Sequence, residues 1–276
     1  MKNDIFHLQV IPIKEILVHE VFDESRAKPL VEQIKEAGFL ANPIIVASLD
    51  DHQYLQLDGM NRLSAFRLMS KKSIVAQVID YNDQESVELS SWTHLFPSEK
   101  EKFFKYLKKD GSIFIKSGRM EDIGHRYIKE EGLGRLCTMV CRDRSVYLIS
   151  TDGDMAEKIK KLNYLVSYYK KKIVRDVLPC TPLHCDYDLL FKEHPCNNMI
   201  VFPTFTRHQI VETVRKGQIF PAGVTRHIVK RRCLSVNVPL GLFDNKKTLK
   251  DQNEQLEKLL SARSYRVYEE PTVFFE

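Results

Sequence analysis

Apolar and polar positions alternate over residues 7–13 (His7-Leu8-Gln9-Val10-Ile11-Pro12-Ile13), which predicts a strand that runs on into Ile16-Leu17. His19-Glu20 follows as a loop. Residues 24–37 change to helical spacing through Leu30, Ile34 and Ala37, with Gly38 placed to end the helix. The pattern then predicts a strand at 43–48, a turn at Asp50-Asp51, a strand at 54–57 and a helix from 60 to 69. Residues 74–80 (Ile74-Val75-Ala76-Gln77-Val78-Ile79-Asp80) alternate again as a strand. These elements form a compact α/β unit.

Past Tyr81 the texture changes. Residues 84–90 and 98–109 read as polar or amphipathic helices around Ser91-Trp92-Thr93-His94. Cys137 to Val140 and Val146 to Ile149 read as strands joined by a charged turn, and 154–169 as a helix. A loop-rich stretch leads to a strand at Met199 to Phe202 and a helix at 206–217 that Gly217 closes. Leu234 to Leu240 reads as a last strand, and 244–262 as a polar helix carrying Leu249, Leu256, Leu259 and Leu260. The expected division is 1–85, 86–240 and 241–276: a first α/β domain, a second α/β domain and a helical tail. Four leucines are too few for a long coiled coil, so the tail either packs on the body or carries a dimer seam.

With 276 residues, 43% hydrophobic and 29% charged, the chain has an ordinary globular balance. No apolar run approaches the roughly 20 residues of a membrane span, and Met1-Lys2-Asn3-Asp4 does not open a signal peptide, so a cytoplasmic protein is expected. A net charge of +5 suits a small anionic substrate as well as it suits DNA. The basic clusters Lys170-Lys171-Lys172 and Arg226, Lys230, Arg231, Arg232 are too short to name nucleic acid. The six cysteines are expected to be reduced. Cys180, His184, Cys185, His194 and Cys196 lie close in sequence but lack the paired spacing of a zinc site, and they read as buried or idle groups ahead of a structural metal.

The chemistry-bearing stretch is Asp58-Gly59-Met60-Asn61-Arg62, at a strand-to-helix turn. A helix start favours anions, Gly59 lets backbone approach a ligand, and Arg62 adds a forked cation. Asp58 beside that anion site suits a divalent metal or a hydroxyl group. The same residues also read as an ordinary turn and cap. Glu20 sits in a loop just after a strand, either facing a pocket or solvated on the surface.

The Gly59-Met60-Asn61-Arg62 turn, the upstream Glu20 and the two-strand lead-in resemble the ParB/sulfiredoxin-like fold, which reads nucleotide phosphates with a Gly-x-x-Arg turn. Sulfiredoxins carry a catalytic cysteine there, and this turn has none. A second resemblance rests on Phe220-Pro221-Ala222-Gly223-Val224-Thr225-Arg226-His227-Ile228, on Val236-Asn237-Val238-Pro239-Leu240 and on Ser91-Trp92-Thr93-His94. Together these are similar to the SbnI-type free L-serine kinases of staphylococcal siderophore (staphyloferrin B) pathways, and more distantly to archaeal ADP-dependent serine kinases. The archaeal relatives have two histidines where this chain has Met60-Asn61.

The resemblance implies transfer of the ATP γ-phosphate to free L-serine, giving O-phospho-L-serine as a precursor of L-2,3-diaminopropionate. ATP is favoured over ADP, with Mg2+ held by Asp58. Glu20 and Asp58 are the implied catalytic carboxylates, with the base left open between them. Gly59, Met60, Asn61 and Arg62 would cradle the nucleotide, and Trp92, Thr93, His94, Thr225, Arg226 and His227 would bind the substrate. The plain readings stand beside these: Trp92 as a core or interface residue, His94 as a satisfied histidine, and Thr225 to His227 as part of a basic face. The runner-up function is a nucleotide-gated DNA-binding regulator of the ParB type, and a third reading is a haem- or metal-sensing regulator.

Overall fold

The computed structural model describes residues 7–21, 24–49, 52–83, 85–123, 134–179 and 185–267. The Asp50-Asp51 turn, Cys180 and His184 lie outside them. The first unit runs β1 (Leu8–Pro12), β2 (Ile16–Leu17), α1 (Glu24–Ala37), β3 (Phe39–Leu40), β4 (Ile44–Ser48), β5 (Tyr54–Asp58), α2 (Met60–Leu68) and β6 (Ser73–Asp80). Five strands form a mixed sheet in the order β1-β6-β4-β5-β2. The pairs β6–β4 and β5–β2 are parallel, and the others antiparallel. β4 is central, and the unbroken Ile44-Ile45-Val46-Ala47 run is buried on both faces, as a covered strand requires.

The second unit continues with β7 (Val87–Ser90), β8 (Thr93–Phe96), α3 (Lys100–Leu107), β9 (Ile113–Ser117), β10 (Gly134–Cys141), β11 (Val146–Thr151), α4 (Met155–Tyr169), β12 (Val174–Asp176), α5 (Tyr187–Glu193), β13 (Asn198–Val201), α6 (Arg207–Arg215) and β14 (Arg226–Val229). Six of these strands make an antiparallel sheet ordered β12-β8-β13-β10-β11-β9. α4 buries Ile159, Leu162, Leu165, Val166 and Tyr169 in the core, and the i, i+3, i+4 spacing of its apolar residues is what made it readable.

Three readings are corrected. The helix expected over 84–90 is not formed by its described residues 85–90: Val87–Ser90 is β7, paired antiparallel with β14, so two short strands satisfy each other's backbone. The expected strand from Leu234 to Leu240 shrinks to β15 (Val238–Pro239), paired with β3. Cys185 is disulfide-bonded, whereas Cys137, Cys141, Cys196 and Cys233 are free.

The tail folds back. Its helix α7 (Leu249–Ser261) docks on the first sheet, where Asn253 accepts from the Val10 amide at 2.9 Å and donates to the Val10 carbonyl at 3.0 Å. One amide side chain thus takes both free backbone groups at the edge strand β1. Val236, Val238, Leu242, Phe243 and Leu256 join the core of the first sheet. A larger core runs from Ile45, Leu55 and Leu57 on that sheet to β8, β10 and α4. Among the described residues no helix is long and apolar enough to cross a membrane.

Candidate active site

A pocket of about 330 Å3 opens where the C-terminal end of β5 meets the loop before β14. Its floor is Asp58, Gly59 and Met60. Gly59 is the N-cap of α2 with φ +88°, a left-handed conformation that disfavours other residues. A Cβ there would stand 2.8 Å from Ile44 Cγ2 and 2.9 Å from Arg62 Nε, so both backbone shape and space demand glycine. No side chain caps this helix start. Its first N–H groups, with the positive end of the helix dipole, form an anion site.

Asp58 Oδ2 accepts from Arg62 Nη2 at 2.9 Å and also pairs with Arg232. Arg62 reaches back to the Asn42 carbonyl at 3.4 Å, and neither it nor Asn61 lines the pocket. Burial lowers the Arg62 pKa, against the opposing pull of Asp58.

The facing wall is built from His19 and Glu20, which run parallel to Phe220: Phe220 N donates to the His19 carbonyl at 2.8 Å, and Val21 N to the Phe220 carbonyl at 2.9 Å. This places the Glu20 carboxylate against the 221–225 loop. Glu20 accepts from Gly223 N at 2.9 Å, from Thr225 N at 2.9 Å and from Thr225 Oγ1 at 2.6 Å. Three donors leave it one orientation. Because the Thr225 proton is given to Glu20, Oγ1 accepts from His19 Nε2, 2.9 Å away. That fixes His19 as the Nε2–H tautomer. Burial pushes its pKa down despite Glu20, so the ring is neutral at pH 7.

β14 supplies the rest. The Arg226 guanidinium lies over the Trp92 ring, 4.8 Å from its centroid. His227 Nε2 is 2.9 Å from the Tyr81 hydroxyl, and its ring meets His19 edge-on at 5.1 Å. Burial, then His19 and Arg207, hold its pKa well below the ordinary value.

Of the residues singled out in the sequence, Glu20, Asp58, Gly59, Met60, Trp92, Thr225, Arg226 and His227 line one pocket. Thr93 and His94 do not: both are fully buried in β8, a strand whose two faces are both covered. His94 Nε2 lies 2.6 Å from the Gly223 carbonyl and Nδ1 3.1 Å from the Tyr169 hydroxyl. A carbonyl only accepts, so Nε2 carries a proton, and burial with Arg175 pushes the pKa down to about 3, which leaves the ring neutral. It holds the loop that holds Glu20.

Three polar lining residues were not anticipated as site residues: His19, Gln56 and Arg232. His19 adjoins Glu20, and Arg232 belongs to the basic cluster noted above. Gln56 lies between Leu55 and Leu57 in β5, and its Oε1 is buried with no hydrogen-bond partner among the described residues. Among those residues the one group of three metal-type ligands is Asp176, Glu193 and His194, away from this pocket. Its Asp176–His194 contact of 2.7 Å accounts for two of the three as an ion pair or hydrogen bond.

Residues 2–92 match the ParB N-terminal domain family. The chain is 25% identical over 264 residues to the ATP-dependent L-serine kinase SbnI of Staphylococcus aureus, covering 94% of this chain and 90% of that protein. It is 27% identical over 243 residues to an ATP-dependent L-serine kinase of Staphylothermus marinus, covering 84% and 89%. The solved structure of SbnI with a C-terminal truncation superposes with a TM-score of 0.69 at 21% identity, over 92% of this chain and 96% of that one. A free serine kinase in complex with AMP superposes with a TM-score of 0.67 at 18% identity, over 87% and 94%. The fold is the one these structures share.

Proposed function

We propose that this protein is a free L-serine kinase that transfers the γ-phosphate of ATP to the serine hydroxyl and releases O-phospho-L-serine. One observation carries the reading: a carboxylate fixed by three donors faces, across one pocket, an uncapped helix start and two arginines, Arg226 and Arg232. Phosphoryl transfer needs those parts, namely a proton acceptor, a phosphate cradle and charge neutralisation. The near full-length likeness to two L-serine kinases supports the choice of acceptor substrate.

Glu20 takes the proton of the serine hydroxyl as its oxygen bonds to the γ-phosphorus and the bond to the ADP oxygen breaks. The Gly59-Met60 backbone holds the nucleotide phosphates, and Arg232 and Arg226 neutralise their charge. Arg62 acts from behind by holding Asp58. The serine carboxylate falls to Arg226, stacked on Trp92, and the unpartnered Gln56 Oε1 accepts from the serine ammonium. Asp58 is the pocket's candidate ligand for Mg2+. One carboxylate completed by substrate phosphates is how that ion is commonly held, and it would add charge neutralisation at the phosphates. In this reading the enzyme works in the cytoplasm, where ATP and free serine are available. The resemblance to SbnI-type kinases makes the product a precursor for a siderophore building block.

The test is 31P NMR of the protein with Mg-ATP and L-serine, run beside ADP and beside Glu20→Ala. The expected result is a serine-dependent phosphomonoester signal with ATP, lowered about 10²–10⁴-fold in the variant. No such signal from folded protein with either nucleotide would refute the kinase.

A further inference from the structure

A second concave site lies where the tail meets the first sheet. A groove of about 530 Å3 runs between the Pro12–Lys14 corner, the α2–β6 junction and the stretch leading into α7. Lys14, Arg67, Lys71, Lys72 and Lys247 line it, and no carboxylate does. These cations come from three separate stretches of chain, so no sequence cluster announces them.

Among the described residues none of the five is in an ion pair. Lys71 Nζ donates to the Phe243 carbonyl at 3.2 Å, and Lys247 Nζ to the Gly241 carbonyl and to Gln255 Oε1 at 2.8 Å each. These acceptors fix the ammonium groups without neutralising them. The carboxylates of the same stretch are used elsewhere. Asp251 Oδ2 accepts from Thr248 N and Oγ1, with Lys247 helping to hold its pKa low, and Asp244 Oδ1 accepts from Lys246 N. Partial burial lowers the Arg67 pKa, so that guanidinium loses water and gains no counter-charge.

The walls are set in advance. Lys72 N donates to Asn245 Oδ1 at 3.1 Å, Asn245 Nδ2 to the Ser70 carbonyl at 3.0 Å, and buried Ser73 Oγ to Gln252 Oε1 at 2.7 Å. Five cations gathered on one groove make it a positive patch that an anion would neutralise. The volume lies within the roughly 300–1,000 Å3 of small-molecule sites. Pro12, Ile13 and Leu249 add an apolar flank.

We propose that this groove binds a small polyanion, a metabolite carrying two or more phosphate or carboxylate groups, and that the bound anion fastens the tail helix to the first sheet. It bridges Lys14, Arg67, Lys71 and Lys72 on the sheet side to Lys247 on the tail. This site is independent of the kinase reading.

The experiment is thermal unfolding of the full chain with pyrophosphate, with citrate, and with sodium chloride at matched ionic strength. The variants are the double substitution Arg67→Gln/Lys72→Gln and, as a control in the other pocket, Arg232→Gln. Wild type and Arg232→Gln should gain about 3–6 °C in Tm with pyrophosphate or citrate at tenfold above its Kd, and chloride should not reproduce the gain. The double variant should keep its melting temperature in buffer and lose most of the citrate response, with pyrophosphate giving only what the other pocket contributes. A larger shift with pyrophosphate assigns a phosphorylated ligand, and a larger shift with citrate a polycarboxylate. An equal response to citrate in the double variant, or a response matched by chloride, would overturn the proposal.

Discussion

Gly223→Ala tests whether the 221–225 loop sets the geometry of Glu20. Gly223 has φ +77°, and an added Cβ would stand 2.2 Å from Arg175 Nε, 2.4 Å from Arg175 Cδ and 3.1 Å from His94 Nε2. Arg175 donates to the Ala222 carbonyl of the same loop at 3.3 Å and His94 is fully buried, and the loop is expected to shift rather than these two side chains. Restoring an ordinary contact of about 3.4 Å requires about 1.2 Å of movement (3.4 − 2.2). The Gly223 N–H to Glu20 bond, now 2.9 Å, then stretches to about 4 Å and is lost. A hydrogen bond to a charged group contributes about 1.5–3 kcal/mol, so kcat should fall about 10–150-fold. Alanine at positive φ adds about 1–2 kcal/mol of lost stability. Nucleotide affinity should stay within about twofold, because the Asp58–Met60 cradle belongs to a different stretch of chain. The assay is steady-state kinetics with serine and ATP, a nucleotide titration, and denaturant unfolding to show that the variant is folded. A kcat within twofold of wild type, or a loss of nucleotide affinity as large as the loss of kcat, would refute the reasoning.

Two further predictions concern stability. His19, His94 and His227 are buried with pKa values lowered from 6.5, so the unfolded chain binds more protons than the native one below that pH, and stability falls as pH drops. Between pH 7 and 5.5 His94 alone should account for a loss of about 1 kcal/mol, with His19 and His227 adding in the same direction, read by urea unfolding at the two pH values; unchanged stability would contradict neutral buried rings, and His94→Gln should flatten the slope. Leu256→Ala, at 1% exposure in α7, should cost about 2–5 kcal/mol if the tail is part of the first core, and a cost below about 1 kcal/mol in the same unfolding assay would detach it.

What the sequence determined about this protein was local. The periods at 8–12, 24–37, 44–48 and 155–169 named their elements, because each buries a face whose spacing its own residues carry. The Asp58-Gly59 turn was readable for the same reason: strand, left-handed glycine and helix start follow one another within a few residues. Val87–Ser90 misled as a helix because four residues hold too little period, and its strand state is conferred by β14, about 140 residues later. His94 was drawn to the substrate by resemblance, whereas β8 buries it where it grips Gly223. Tertiary structure alone decided that Glu20 meets Thr225 across 205 positions, that Arg232 reaches Asp58, and that Asn253 covers the edge of β1. Those contacts depend on how the two sheets and the returning tail pack, and no spacing within one stretch of chain encodes it.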